Sequence, residues 1–242
     1  MSQEHLPRYQ HHIIDKLFPS YEIHLVAGPS GAGKSRWLIQ MMVDWAKGKS
    51  ILGHRSHPAR WVYVSADRSQ AGVQRVVDSL GIPQGEIPFI AAADHRLSMD
   101  AIITRAAEME AKVLAVEMFG SFCPGFRHAD ITKFMHGYRN VLREHDMTLI
   151  GTMESPKLKP RDNYENPRQR VSGVATWGHL AETIVLVEPA DVKNPANGQR
   201  KIYVMPRNGE SLVIQAAFVN GKLVPIQTLD NVDLSGLADE NL

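Results

Sequence analysis

The segment Gly28-Pro29-Ser30-Gly31-Ala32-Gly33-Lys34-Ser35 limits what this chain can fold into more than any other stretch. An apolar run, Glu22–Ala27 (EIHLVA), precedes it, and Trp37, Leu38, Met41, Met42 and Trp45 follow at helical spacing with Gly48 as a stop. Strand, glycine-rich turn and helix in that order fit the phosphate-binding pattern G-x-x-x-x-G-K-[ST]. The glycines let the backbone curl until successive N–H groups point at phosphate oxygens, and the next helix adds its positive end. Lys34 would reach the β- and γ-phosphates of ATP, the Ser35 hydroxyl would ligate Mg²⁺, and Arg36 completes the nucleotide-binding set with Gly28 to Ser35. An ordinary glycine turn is the competing reading. The flanking strand and helix favour the nucleotide.

Beyond this point strand-like and helix-like patterns alternate, which argues for an α/β fold with a mostly parallel sheet covered by helices on both faces. Arg60–Ser65, Ile87–Ala92, Val113–Val116, Thr148–Thr152 and Thr183–Val187 read as strands. Ser69–Leu80 and Met99–Met109 read as helices, as does the segment whose face is Ile131, Phe134, Met135, Tyr138, Val141, Leu142 and His145. Gly173–Ala181 reads as a helix too, and Pro156–Arg170 as a loop. Asn-Gly pairs at 197–198, 208–209 and 220–221 then separate short β-rich runs, the signature of antiparallel hairpins added to the sheet. The expected organisation is an arm over residues 1–20 able to touch a neighbouring subunit, an ATPase domain over 21–228, and an acidic tail over 229–242 without fixed structure.

The carboxylates indicate what a bound nucleotide would be used for. Glu117 ends the apolar strand KVLAVE, where an acid can hold magnesium; a solvent-facing strand end is the alternative. Asp67 ends WVYVSAD, the strand after the phosphate-loop helix, at the sheet edge where ligands bind. There it could activate water for attack on the γ-phosphate, or merely cap the helix 69–80.

Composition excludes several classes. The hydrophobic share of 43% and charged share of 22% argue against wholesale disorder of the 242 residues. A single cysteine, Cys123, leaves no internal disulfide and no four-cysteine zinc site, and fits a reducing cytoplasm. No apolar stretch is long enough for a membrane span, and the first 18 residues hold none suited to a signal peptide. With a net charge of +1, nucleic-acid affinity would need a local patch.

Taken together, phosphate loop, acid after the second strand, magnesium-acid strand and a strand ending in a polar residue resemble the RecA-like ATPases. The likeness is greatest to their hexameric-helicase branch, the plasmid RepA-type helicases and the DnaB ATPase domain. It covers roughly residues 20–226. The resemblance implies that Asp67 is the catalytic base, where the family usually has Glu, and that Glu117 is the metal acid, where it usually has Asp. The family's sensor, a His or Gln, falls on Glu154 in LIGTMESPK. In IYVMPRNGE, Arg207 falls at the arginine-finger position, acting on a neighbour's γ-phosphate, while the companion Lys is replaced by Met205. A hairpin-turn arginine is the alternative for Arg207.

The loop with Lys157, Lys159, Arg161, Arg168 and Arg170 carries two acids, Asp162 and Glu165, among its five bases. In RecA-like rings this loop faces the central channel, which makes single-stranded DNA its implied partner, with Tyr164 placed to stack on a base. A solvated loop of no specific use is the plain alternative. The resulting expectation is an ATP-driven helicase of a phage or mobile element, assembled as a homo-oligomeric ring. A recombinase or annealing accessory that forms filaments, a small-molecule kinase, and a weakly hydrolysing nucleotide-gated scaffold are the alternatives.

Overall fold

Continuous apolar strands are stable only when both faces are covered, and such strands dominate the middle of this chain. A computed structural model describes residues 12–92, 96–155 and 176–229. Its strands are β1 (His12–Ile14), β2 (Phe18–Pro19), β3 (Ile23–Gly28), β4 (Trp61–Ser65), β5 (Phe89–Ala91) and β6 (Val113–Glu117). They continue with β7 (Thr148–Glu154), β8 (Thr183–Pro189), β9 (Gln199–Pro206), β10 (Leu212–Val219) and β11 (Lys222–Leu229). Nine of them form one sheet in the order β11-β10-β9-β8-β3-β7-β6-β4-β5. From β8 to β5 neighbouring strands run parallel, and β9, β10 and β11 extend the sheet antiparallel.

Side chains alternate between the two faces and build two cores. On one face α1 (Lys34–Ala46), α2 (Gln70–Ser79) and the β1–β2 hairpin cover Val26, Tyr63, Ala115 and Val185. On the other, α3 (Met99–Glu108), α4 (His128–Glu144) and α5 (Thr176–Leu180) cover Leu25, Val64, Val116 and Leu186. Every residue of the apolar face expected for α1 is buried, Trp45 completely. The turn between β10 and β11 is the Asn220-Gly221 pair, both residues at positive φ (50° and 77°), as a two-residue type I′ hairpin demands. The other two Asn-Gly pairs lie in longer connections, between β8 and β9 and between β9 and β10.

One element was not foreseen. Residues 12–19 form the β1–β2 hairpin, and Ile13, Ile14, Leu17 and Phe18 belong to the chain's own core. Trp45 donates its indole N–H to the Ile13 carbonyl at 3.0 Å. This part of the expected arm is therefore committed to its own domain. Residues 1–11, residues 156–175 with the five expected DNA-binding cations, and residues 230–242 lie outside the described residues.

Candidate functional site

Strand β3 lies between β7 and β8, yet the chain leaving its C-terminal end returns as β4, three places away beyond β7 and β6. Such a reversal opens a crevice at the carboxyl ends of the strands, where open α/β sheets bind ligands. Four segments end there: the Gly28–Ser35 loop after β3, Asp67 after β4, Glu117 closing β6 and Glu154 closing β7. Together with the β10–β11 turn they enclose a cavity of about 580 Å³. Its lining includes Ser30, Gly31, Gly33, Lys34, Ser35 and Arg36, joined by Asp67, Arg68, Glu117 and Glu154.

The loop is held in its curled form from several sides. Gly33 precedes α1 at φ 100°, a left-handed conformation, and a Cβ there would meet the Phe218 ring at 2.3 Å. Gly28 packs so closely on β8 that a Cβ would sit 2.2 Å from the Val187 carbonyl oxygen. No side chain caps α1, so its first N–H groups remain available to an anion. Lys34 donates to the carbonyls of Gly28 at 2.8 Å and Pro29 at 3.0 Å. Burial lowers the pKa of its ammonium, while the charges of Glu154 and Glu117 oppose that shift.

Glu117, only 2% exposed, is the centre of the polar network. The Ser35 hydroxyl donates to its Oε1, and the Arg68 guanidinium stands 3.3 Å from the same oxygen. Ser65 donates to Oε2 at 2.9 Å, and the buried Tyr63 hydroxyl also hydrogen-bonds the carboxylate. Burial, and then the Glu117 charge, push the Tyr63 pKa well above its ordinary value. The solvent-facing alternative for Glu117 is thereby removed. A hydroxyl and a carboxylate sharing one position form a hard-oxygen donor pair suited to Mg²⁺. Among the described residues no cluster of three or more His, Cys, Asp or Glu would hold a metal by itself, so phosphate oxygens would supply the remaining ligands.

Asp67 is exposed at the cavity wall, with the Ser65 hydroxyl 3.3 Å from its Oδ1. It does not cap the following helix. That role falls to Ser69, whose side chain accepts from the Gly72 N–H at 3.3 Å. Glu154 is level with Gly28 in the β3–β7 register and exposes its carboxylate to the same cavity.

Arg207 lies elsewhere. Its N–H bonds the Glu182 carbonyl at 2.7 Å, its guanidinium donates to the His179 carbonyl, and the Glu182 carboxylate is 4.0 Å away. Glu182 in turn bonds Ile23, so Arg207 is level with the start of β3, about 16 Å of strand from the phosphate loop. It does not reach its own chain's cavity.

Several groups on or beside the cavity wall had no signal in the sequence. Thr152 accepts the Met118 N–H at 2.9 Å, where Met118 turns out of β6 at φ 55°. Arg36, expected among the nucleotide-binding residues, lines the cavity and donates to the Gly221 carbonyl at 3.3 Å, tying α1 to the β10–β11 turn. Arg200, buried on β9, donates to the Ala32 carbonyl at 3.1 Å and holds its guanidinium 5.0 Å from the Phe218 ring centre. Arg68 belongs to no motif of its own, and only its approach to Glu117 brings it to the site.

Known proteins agree with this architecture. The fold is similar to that of the KaiC-like protein PH0186 from the hyperthermophilic archaeon Pyrococcus horikoshii OT3, at a TM-score of 0.60 and 17% identity over 89% of this chain and 94% of that one. No curated protein matches the chain. Among the described residues no helix is long and apolar enough to cross a membrane. The AAA domain family matches residues 2–159, the stretch that carries the phosphate loop, Asp67, Glu117 and Glu154, and the chain belongs to that family as a P-loop NTPase of RecA-like fold.

Proposed function

We propose that the protein is an ATP-driven motor on single-stranded DNA, a RepA-like helicase working as a homo-oligomer, with a hexameric ring as the expected form. The observation that carries the ATPase part is the meeting of Ser35 and Glu117 beside an uncapped helix N-terminus. Lys34 draws in the terminal phosphates, and Ser35 with Glu117 would hold Mg²⁺, which would offset phosphate charge. Asp67 orients a water and accepts its proton as it attacks the γ-phosphate. Glu154 senses whether that phosphate is present. Arg207, turned away from its own cavity, serves the site of the adjacent subunit. The DNA part rests on the resemblance to hexameric helicases and on the cations of the 157–170 loop.

Strand displacement from a forked duplex tests this directly. ATP-dependent unwinding by closed rings is the expected result; open filaments that pair or anneal strands without unwinding would favour the recombinase alternative. A second reading, a nucleotide-gated scaffold with little turnover, is favoured by the Glu154 carboxylate on the cavity wall. The buried Met205 in place of the family's lysine points the same way. Tight ATP binding with negligible hydrolysis, even in the assembled state with DNA, would select it.

A further inference from the structure

Resting on the ATPase reading, we infer that Arg68 is a further catalytic residue of this site. It pairs with Glu117, and would turn to the terminal phosphate were Mg²⁺ held by that acid. The cavity wall carries three acids, Asp67, Glu117 and Glu154, and three bases, Lys34, Arg36 and Arg68. A nucleoside triphosphate brings further negative charge into this balance, and Glu154 stands on its path. The bases are not equally free to answer it. Lys34 is buried against the loop carbonyls that it would leave for phosphate, and Arg36 is turned to the Gly221 carbonyl. Arg68 instead stands 3.3 Å from Glu117 Oε1, the oxygen that also accepts from Ser35.

Two cations compete for that carboxylate. A divalent cation held by Ser35 and Glu117 would repel the Arg68 guanidinium and weaken its hold there. Displacement costs little elsewhere, because the side chain is 40% exposed and the residue is anchored by its backbone, whose N–H bonds the Ser65 hydroxyl at 3.1 Å. Asp67, the adjacent residue, faces the place of the attacking water. A guanidinium released next to it is within reach of the phosphate under attack, where positive charge has most effect on the transition state. Arg68 would thus supply in cis part of the charge that Met205 cannot, and would offset the repulsion from Glu154.

The test is a magnesium titration of nucleotide binding, followed with a fluorescent ATP analogue, on the unaltered chain, Arg68→Ala and Arg68→Lys. Turnover is measured on the same samples. With its competitor gone, Arg68→Ala is expected to reach half-saturation at several-fold lower Mg²⁺, yet to lose about 100-fold in kcat with KM changed little. Arg68→Lys, keeping the charge without the planar fork, should fall between the two. A magnesium midpoint that does not move in Arg68→Ala overturns the inference, and so does a shifted midpoint with kcat unaltered. Failure of the ATPase reading looks different: the unaltered chain would then bind no nucleotide at any Mg²⁺ concentration, and the inference would fall with it.

Discussion

The ring of Phe218 lies so close over Gly33 that a single added methyl carbon would meet it at 2.3 Å. The two residues are 185 positions apart, one in the phosphate loop and the other near the end of β10. Gly33 therefore answers to two constraints at once, a φ of 100° and an aromatic ring lying directly over it. Replacing it with alanine is expected to cost about 1–2 kcal/mol from the backbone alone, plus the displacement of the ring. Nucleotide affinity should fall at least about tenfold. The added substitution Phe218→Ala removes the collision and should recover part of the lost thermal stability, a coupling expected for residues in contact. Melting curves of the two single variants and the double variant check this; strictly additive losses would contradict it.

Asp67 stands free of the helix cap that would have explained it structurally. Asp67→Asn keeps its size and cannot accept a proton. It should bind ATP within a few-fold of the unaltered chain and lose about 100-fold or more in turnover. Parallel binding and steady-state measurements separate the two effects. A large loss of binding with normal turnover at saturation would mean that Asp67 positions nucleotide instead.

Arg207 is level with the opposite end of β3 from the phosphate loop, so its proposed role requires a neighbour. Arg207→Ala should bind nucleotide almost normally and hydrolyse it poorly, while Lys34→Ala should fail at binding. Mixing the two inactive variants creates interfaces that pair an intact Lys34 site with an intact Arg207. Such mixtures are expected to regain a measurable part of the unaltered rate. Mixtures as inactive as their components would remove Arg207 from catalysis.

His24, fully buried on β3, donates its Nε2–H to the Pro19 carbonyl at 2.8 Å, and its Nδ1 has no partner. Burial drops its pKa to about 3, a fall reinforced by the charges of His12 and Arg139. The unfolded chain, with an ordinary histidine near 6.5, binds the proton first, so stability is fully present above that value. It then declines as pH falls from about 6.5 toward 3, with a slope approaching 1.4 kcal/mol per unit from this residue. Denaturant titrations between pH 7 and 4.5 should show the decline, and His24→Gln should flatten it. This window avoids Asp15, which its hydrogen bond to His57 holds below its usual value, so that its loss of stability comes only as pH falls below about 4.

Legibility in the sequence followed the range of the interactions. Strands β3, β4, β6 and β7 could be read because burial on both faces leaves mostly apolar runs, and α1 because its buried positions recur at helical spacing. The phosphate loop could be read because its geometry is specified by eight consecutive residues. Asn220-Gly221 announced its turn for the same local reason. The β1–β2 hairpin was missed because strands of three and two residues carry no periodicity, and only contact with Trp45 and Val26 makes their side chains core. Phe218, Arg200 and Arg68 were invisible as site residues. What matters about each is a partner distant in sequence, Gly33, Ala32 and Glu117 in turn, and no spacing records such a meeting.

The most direct test of the central proposal is steady-state ATP hydrolysis with and without single-stranded DNA, using Lys34→Ala as the blank. The account predicts a Mg²⁺-dependent rate that rises several-fold or more with DNA and vanishes in the blank. A rate no greater than the blank, or one indifferent to DNA at every concentration, would contradict a DNA motor.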